Sequence, residues 1–339
     1  MIDGDYPKNH YWGSDALLSS EIFNSRFVEN KVFPLPNLVA NLINRKIFYG
    51  YSDYNNEWNA LRASNSSDVI YSICGPLAFP SFYRKCKLVS WVFQVNNSNN
   101  SNPFDPYNKK NLSKHAGFLC LTPKAQKYYS QFAPSKFIPW CVDLEMFDGK
   151  SENATNSKPY FLATGKTGRD YATLVKAAYS TKAEIRIIGP KVQKPSCIPK
   201  NLIWIDTSND PPDQAVDYCK LKDLYANSSG VCIPLSGDAN DTCGYTNMLE
   251  GMAMQKPILM TRSGCLHIDP ESRSFGILIE AKDYHGWSNA MNRILNEPNF
   301  AYECGNNGRK IVEKEFSIER FNRDVVSFIT KILPKGCKN

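Results

Sequence analysis

The segment from Ser236 to Pro257 concentrates the residue types from which an anion-binding site is built. An apolar run precedes it, a polar loop that contains Gly244 follows, and a helical pattern begins at Thr246. A loop of this kind exposes backbone N–H groups, and the helix dipole adds roughly half a positive charge at the first turn. Together they predict a site for a phosphate group.

Glu250 lies about one turn into this predicted helix. A carboxylate at that position can accept two hydrogen bonds from the hydroxyls of a ribose, because an ionised carboxylate has acceptor oxygens only. The segment therefore predicts a nucleotide site. From the residues alone, an ordinary surface loop with a solvated glutamate stays open as the alternative interpretation.

The elements that must position this segment are predicted from the alternation of short apolar runs and helical patterns after the polar stretch 149–158. Strands are predicted at 160–164, 184–188, 202–205, 231–235 and 257–261, and helices at 170–179, 213–225 and 246–254. Such alternation predicts a parallel sheet covered by helices. Because ligands of these sheets bind beyond the carboxyl ends of the strands, the segment around Glu250 is expected at the ligand-binding edge.

The first 150 residues predict a second α/β domain with a less regular pattern. Helices are expected at 14–27 and 124–132, strands at 69–73, 88–93, 117–121 and 136–139, and an exposed polar loop at 96–111. Met1 and Ile2 are too few to form an opening strand, so the first strand of this domain is either missing or trimmed. An apolar stripe from Ile318 to Ile332 predicts a C-terminal helix with Ser317 as its N-cap.

Composition limits the class of protein. The 339 residues suffice for two domains, and no run approaches the roughly 20 apolar residues that span a bilayer. The chain start lacks the pattern of a signal peptide, and the 11 cysteines include no C-x-x-C pair, which favours reduced thiols in the cytoplasm. The net charge of +7 is scattered. It suits phosphate-bearing ligands, and we expect no nucleic-acid partner and at most peripheral membrane contact.

The sequence from Met248 to Ile258 resembles the "LLEAMAxGKPVI" element of retaining glycosyltransferase family 4, whose members have the GT-B fold. Further similar elements follow the family's order, namely 165–170, 187–189, Gly264, 276–279 with Asp283, and 308–316. The resemblance covers residues 160–333. It implies two Rossmann-like domains that face a cleft: an acceptor-side domain at 1–150, a nucleotide-sugar donor domain at 158–316, and a helix at 317–333 that crosses back to the N-terminal domain.

The resemblance also implies roles for individual residues. Glu250 matches the glutamate that binds the ribose, and Lys166 and Arg169 match the two cations that neutralise the leaving diphosphate, which is electrostatic stabilisation of the transition state. The implied donor-binding set is Gly165, Gly189, Thr242, Cys243, Gly244, Tyr245, Thr246 and Glu250. No metal ion and no cofactor are expected, since the nucleotide sugar is itself a substrate.

Two departures from the family pattern concern the sugar. In the family, another glutamate stands eight residues before the ribose-binding glutamate that Glu250 matches. This chain has Thr242 at that position, and Asp241 stands three residues before Gly244. Asp241 is favoured as the replacement that contacts the sugar ring, and Thr242 is the alternative. The family's N-terminal histidine has no clear counterpart, so His10 and Trp12 are predicted on the acceptor side instead.

The resemblance implies transfer of a sugar, with retention of configuration, from a nucleoside-diphosphate sugar to a hydroxyl acceptor. A UDP-sugar is favoured over a GDP-sugar as the donor. Two alternatives stay open. One is a catalytically silent GT-B protein that serves as a binding or partner subunit, which the missing first strand, the missing histidine and the departure at Thr242 favour. The other is a sugar-nucleotide epimerase on the same fold.

Overall fold

The computed structural model describes residues 6–28, 35–48, 52–73, 75–83, 86–96, 102–150, 158–207, 216–236, 242–262 and 267–333. The chain forms two compact units. The four-stranded unit comprises residues 11–139 and 321–339, and the six-stranded unit comprises residues 1–10 and 140–320. Residues 1–10 therefore group with the later part of the chain, whereas the predicted N-terminal domain at 1–150 includes them.

The strands are β1 (Val69–Ser72), β2 (Lys87–Val92), β3 (Gly117–Cys120), β4 (Ser135–Phe137), β5 (Tyr160–Thr164), β6 (Glu184–Pro190), β7 (Leu202–Thr207), β8 (Gly230–Ile233), β9 (Ile258–Thr261) and β10 (Gly276–Ile279). The helices are α1 (Ser14–Leu18), α2 (Asn37–Lys46), α3 (Tyr54–Ala63), α4 (Phe79–Tyr83), α5 (Lys109–Leu112), α6 (Pro123–Tyr129), α7 (Tyr171–Ala178), α8 (Tyr218–Ala226), α9 (Tyr245–Ala253), α10 (Tyr284–Asn296), α11 (Pro298–Glu315) and α12 (Ile318–Ile332).

Each unit contains one parallel sheet. The first has the order β1-β2-β3-β4 and the second the order β10-β9-β8-β5-β6-β7. Strands β5, β8 and β9 are buried along their whole length, which explains why their sequences are continuous apolar runs rather than alternating ones. The predicted fold class, α/β with a parallel sheet in each of two units, is confirmed. In the described residues no strand precedes β1.

The core of the six-stranded unit lies between its sheet and helices α7 and α10. Phe161, Leu174, Ile187 and Trp287 are among its fully covered side chains. Burying a side chain of this size contributes about 1.5–3 kcal/mol relative to leaving it in water. This packing fixes the strands whose carboxyl ends carry the polar residues described below.

The predicted C-terminal helix is confirmed as α12, of which the part from Phe321 onward belongs to the four-stranded unit. Ser317 accepts a hydrogen bond from the backbone N–H of Arg320 at 3.3 Å, as expected of an N-cap. The ring of Phe321 stacks on that of Trp91, with 5.4 Å between centroids. A Cβ on Gly117 of β3 would lie within 3 Å of the ends of the Phe328 and Ile332 side chains, so a larger residue at this position would require those side chains to shift.

The predicted helix at 14–27 is wrong beyond Leu18. Its C-cap is Ser19, whose hydroxyl donates to the carbonyl of Asp15 at 2.8 Å. The hydroxyl of Ser20 accepts from the N–H of Ile22 at 3.2 Å. Serine side chains of this kind offer the backbone partners outside the helix, and here they end it.

The prediction of an exposed loop at 96–111 is wrong for residues 105–108 and 111, which are buried. Residues 97–101 lie outside the described residues, but Asp105 and Asn111 are buried. The amide of Asn111 donates to the carbonyls of Pro103 and Asp105 at 2.6 and 2.8 Å. The polar composition therefore supplies internal hydrogen bonds to a packed turn instead of contacts with solvent.

A buried carboxylate holds the segment after β1. Glu57 of α3 is fully buried, and its oxygens accept from the backbone N–H groups of Ala78 at 3.0 Å and Phe79 at 2.8 Å. Burial raises the pKa of Glu57 to about 7, although these hydrogen bonds act in the opposite direction. Since the folded-state pKa lies above the ordinary value, the folded protein binds a proton between the two values that the unfolded chain has released.

We expect Glu57→Gln to change how stability depends on pH. In the wild type, the contribution of Glu57 to the free energy of unfolding falls as the pH rises from about 4.5 to about 7, by roughly 3 kcal/mol. Urea unfolding at pH 4.5 and 7 measures this, and the difference between wild type and variant isolates Glu57 from the histidines, which titrate with the opposite sign. Equal differences at both pH values would contradict the prediction.

Candidate functional site

The six-stranded sheet has a topological switch point between β5 and β8. Strand β5 is followed along the chain by β6 and β7 on one side, and β8 then pairs with its other side. In open α/β sheets, ligands bind in the crevice at such a point, beyond the carboxyl ends of the strands. Thr164 ends β5, and helix α9 follows β8. The candidate site is therefore built from the segments that leave these two strands.

The loop between β5 and α7 reaches across to the segment that follows β8. Gly165 and Gly168 have φ of +119° and +64°, conformations that side chains with a Cβ rarely adopt. The N–H of Asp170 donates to the carbonyl of Pro234, and the N–H of Ser236 donates to the carbonyl of Gly168, each at 3.0 Å. These bonds bring Arg169 next to helix α9.

The guanidinium of Arg169 is held by three oxygens. Nε donates to the carbonyl of Thr164 at 3.1 Å, Nη1 to the carbonyl of Thr167 at 2.9 Å, and Nη2 to Oδ1 of Asn247 at 2.6 Å. All three acceptors are uncharged, and within the described residues Arg169 forms no ion pair. A positive charge is thus fixed at the carboxyl edge of the sheet, and no carboxylate of the described residues pairs with it, which suits binding of an anion.

Gly165 provides the space that this guanidinium occupies. A Cβ at this position would lie 2.3 Å from Nη2 of Arg169 and 2.7 Å from Cζ. Two independent features therefore favour glycine at position 165: its positive φ and the close approach of the Arg169 guanidinium.

We expect Gly165→Ala to displace Arg169 and to weaken binding of a nucleoside diphosphate about tenfold or more, because one charge-assisted hydrogen bond contributes about 1.5–3 kcal/mol. Isothermal titration with UDP measures the loss. Gly149→Ala, which replaces another glycine with positive φ whose Cβ would meet the Gln255 amide, is the matched control. Equal losses in both variants would show that backbone strain alone is responsible.

Glu250 lies on the buried side of α9, with 3% of its surface exposed. Its Oε2 accepts a hydrogen bond from the hydroxyl of Tyr225, at the end of α8, at 2.9 Å. Burial raises the pKa of Glu250 to about 7, while the hydrogen bond from Tyr225 and the nearby amide of Asn247 act in the opposite direction. Burial of Tyr225, and then the charge of Glu250, raise the pKa of Tyr225 well above its ordinary value. The hydroxyl of Tyr225 therefore stays a donor.

Asn247 joins the carboxylate to the cation. Its Nδ2 donates to Oγ1 of Thr164 at 2.6 Å and to the hydroxyl of Tyr225 at 3.3 Å, while its Oδ1 accepts from Arg169. Arg169, Asn247, Tyr225 and Glu250 thus form one continuous hydrogen-bonded set across the switch point, which we call the edge network.

Helix α9, which carries Asn247 and Glu250 of this network, has a glycine as its N-cap. Gly244 has φ of +85° and provides no side-chain cap, and no acidic residue stands in the first turn. A Cβ on Gly244 would approach Cγ2 of Ile233 to 2.5 Å. Thr242, Cys243 and Thr246, predicted to bind the donor, are half-buried around this helix start. The arrangement agrees with the expected anion-binding helix N-terminus.

Two other predicted donor-binding residues make contacts within the protein. The hydroxyl of Tyr245 lies 3.1 Å from Nε2 of His267, and Tyr245 is buried. The carbonyl of Gly189 accepts from Nε1 of Trp204 at 3.2 Å, and a Cβ there would meet the ring of Tyr171 at 2.9 Å. For both residues, these contacts account for the residue type without a ligand.

The remaining predicted residues are distributed as follows. Lys166 is exposed in the loop after β5, and Asp241 lies outside the described residues. His10 belongs to the six-stranded unit, where its Nε2 lies 3.2 Å from the hydroxyl of Tyr218, and burial lowers the pKa of His10. Trp12 belongs to the four-stranded unit and packs against Trp91 and Phe93.

The sequence interpretation missed Thr164, Tyr225 and Asn247. Asn247 had a usable signal, because it precedes Glu250 by three residues and so shares a face of the helix with it. Thr164 is the single hydroxyl at the end of an apolar strand. Tyr225 ends a different helix, and only the tertiary structure brings it to the carboxylate.

In the described residues, no helix has the length and apolar character needed to cross a membrane. The same residues contain no cluster of three or more histidine, cysteine or carboxylate side chains arranged to hold a metal ion.

Comparisons with known proteins identify the fold. A glycosyltransferase from Rickettsia africae ESF-5 shares 15% identity over 91% of this chain and 85% of its own, with a TM-score of 0.65. Sucrose-phosphate synthase from Thermosynechococcus elongatus shares 16% identity over 85% of this chain and 79% of its own, with a TM-score of 0.61. Anabaena HepE in complex with UDP shares 11% identity over 81% of this chain and 82% of its own, with a TM-score of 0.60.

No protein-family model matches the chain, and no curated protein matches it. At these identities the solved structures establish a shared architecture. The chain therefore has the GT-B fold, with a polar network at the switch point of its six-stranded sheet.

Proposed function

We propose that this protein is a glycosyltransferase that moves a sugar, with retention of configuration, from a nucleoside-diphosphate sugar to a hydroxyl acceptor. The edge network carries the proposal, because it joins a cation, a helix N-terminus and a carboxylate at the switch point. Arg169 and the first turn of α9 suit the diphosphate, and Glu250 suits the ribose diol. UDP is the favoured nucleotide, and HepE, a neighbour in fold, is known in complex with UDP-glucose.

The proposed chemistry needs little from the protein besides charge and position. The bond between the anomeric carbon and the diphosphate breaks while the acceptor oxygen bonds to that carbon from the same face. The acceptor hydroxyl gives its proton to a phosphate oxygen of the leaving group. Arg169, together with Lys166, stabilises the negative charge that grows on the diphosphate, and such preorganised donors are usually the largest contribution to catalysis.

A second candidate is a GT-B protein that binds a nucleotide sugar without transferring it. Two observations favour it. Glu250 is almost fully buried, and Thr242 stands where the family that the sequence resembles has a glutamate. An epimerase would need acid and base side chains beside the sugar, and the edge network supplies one titratable carboxylate.

Titration with UDP, GDP and their glucose conjugates, followed by a hydrolysis assay, tests the proposal. We expect UDP to bind more tightly than GDP, and UDP-glucose to release UDP and glucose whose first-formed anomer is α, like the donor. Binding without turnover over a broad acceptor panel supports the silent protein. Release of an epimer of the sugar supports the epimerase, and no binding of any nucleotide contradicts all three.

A further inference from the structure

The edge network has a fixed direction, which follows from counting donors and acceptors. Arg169 can only donate, so the atom of Asn247 that faces it must be the carbonyl oxygen. The amide nitrogen of Asn247 then has two hydrogens, and its two partners are Thr164 Oγ1 and the hydroxyl of Tyr225. The guanidinium therefore sets the orientation of the amide.

The same counting determines where the proton of Tyr225 points. Its hydroxyl oxygen accepts from Asn247, and Thr164 Oγ1 lies 3.4 Å from it. Its single hydrogen is directed to Oε2 of Glu250 at 2.9 Å. The carboxylate is thus held by a donor whose own position is fixed, through Asn247, by Arg169. Tyr225 is fully buried, so water does not replace these partners.

We propose that Asn247 and Tyr225 are positioning residues that hold Glu250 as a carboxylate in the orientation needed to recognise a ribose diol, and that Arg169 sets this orientation through them. This inference rests on the proposed function, since it assigns Glu250 to the ribose. It goes further in predicting that the site distinguishes ribonucleotides from 2′-deoxyribonucleotides and that this selectivity depends on two residues that do not touch the ligand.

Ionisation of Glu250 provides a readout that a merely structural role would not change. The groups of the described chain that face this carboxylate are Tyr225 and Tyr218 from α8 and Asn247 from α9, and burial alone would favour its neutral form. The hydrogen bond from Tyr225 and the nearby amide of Asn247 favour the ionised form. Loss of the Tyr225 hydroxyl therefore raises the pKa of Glu250 further, and ribose binding fails at a higher pH than in the wild type.

The experiment compares the affinities of UDP and 2′-deoxy-UDP between pH 6 and 9 for the wild type, Tyr225→Phe and Asn247→Ala. We expect the wild type to prefer UDP about tenfold, as the loss of one hydrogen bond to a charged group predicts. Both variants should lose most of this preference, and the pH midpoint of UDP binding should rise by about one unit in Tyr225→Phe. Tyr160→Phe is the matched control, because its hydroxyl donates to the carbonyl of Leu224, outside the network.

The outcomes separate the two proposals. Wild-type preference and a wild-type midpoint in both variants, with selectivity lost in Glu250→Gln, would overturn this inference and leave the proposed function intact. A wild type that binds neither nucleotide would overturn the proposed function itself. If Tyr225→Phe fails to fold, Asn247→Ala decides alone, since Asn247 is only half-buried and acts from the other end of the network.

Discussion

Arg169→Ala is expected to lower kcat/KM for the nucleotide sugar by about 100- to 1,000-fold, the range found when a preorganised donor to a developing negative charge is removed. The guanidinium is already held in place by the carbonyls of Thr164 and Thr167, so no free energy of reorganisation is needed to orient it during the reaction. Initial rates of UDP release measure the effect. The loss should appear in kcat as well as in KM, because in the proposed reaction the charge on the diphosphate grows as the glycosidic bond breaks.

Two further variants make this prediction specific. Arg169→Lys keeps the charge but not the planar fork that reaches three oxygens, so we expect an intermediate loss. Arg293→Ala removes an exposed arginine of α10 that pairs with Glu297, and it should leave the rate unchanged. A rate for Arg169→Ala within threefold of wild type, with an unchanged melting temperature, would contradict the assigned role.

Glu250→Gln is expected to weaken UDP binding by about 1–3 kcal/mol, because an amide offers the ribose diol one acceptor oxygen where the carboxylate offers two. The variant keeps the shape of the side chain and an oxygen for the hydroxyl of Tyr225. Isothermal titration at pH 8 measures the difference. The buried Glu57→Gln in the four-stranded unit is the matched control, and its UDP affinity should equal that of the wild type.

The pH dependence of UDP affinity, compared between the wild type and Glu250→Gln, tests the ionisation of Glu250. Its pKa is raised to about 7, so the carboxylate is present above this pH and is lost as the pH falls through it. Wild-type affinity for UDP should therefore fall below pH 7 relative to the variant, and the comparison cancels the protonation of UDP itself. A constant ratio of the two affinities from pH 6 to 9 would rule out Glu250 as the titrating ligand group.

The strands and the helix that form the site could be predicted largely from local sequence. Strands β5 and β8 were predictable because strands buried on both faces are continuous apolar runs, and α9 because its apolar positions recur at helical spacing. Glu250 was identified by its place on that helix and by the family resemblance. The prediction of a helix at 14–27 was wrong beyond Leu18, because serine hydroxyls form hydrogen bonds with the backbone there, and apolar periodicity does not reveal such bonds.

Only the tertiary structure decided which polar side chains meet Glu250. Tyr225, which donates to Glu250, comes from α8, and Thr164, which contacts Tyr225 and Asn247, comes from β5, so packing brings together elements that are distant in sequence. The location of His10 beside Tyr218 was likewise decided by packing of residues far apart in the chain. Local spacing thus determined the elements and one carboxylate, whereas the partners that orient that carboxylate and shift its pKa depend on contacts between elements, which spacing along the chain does not encode.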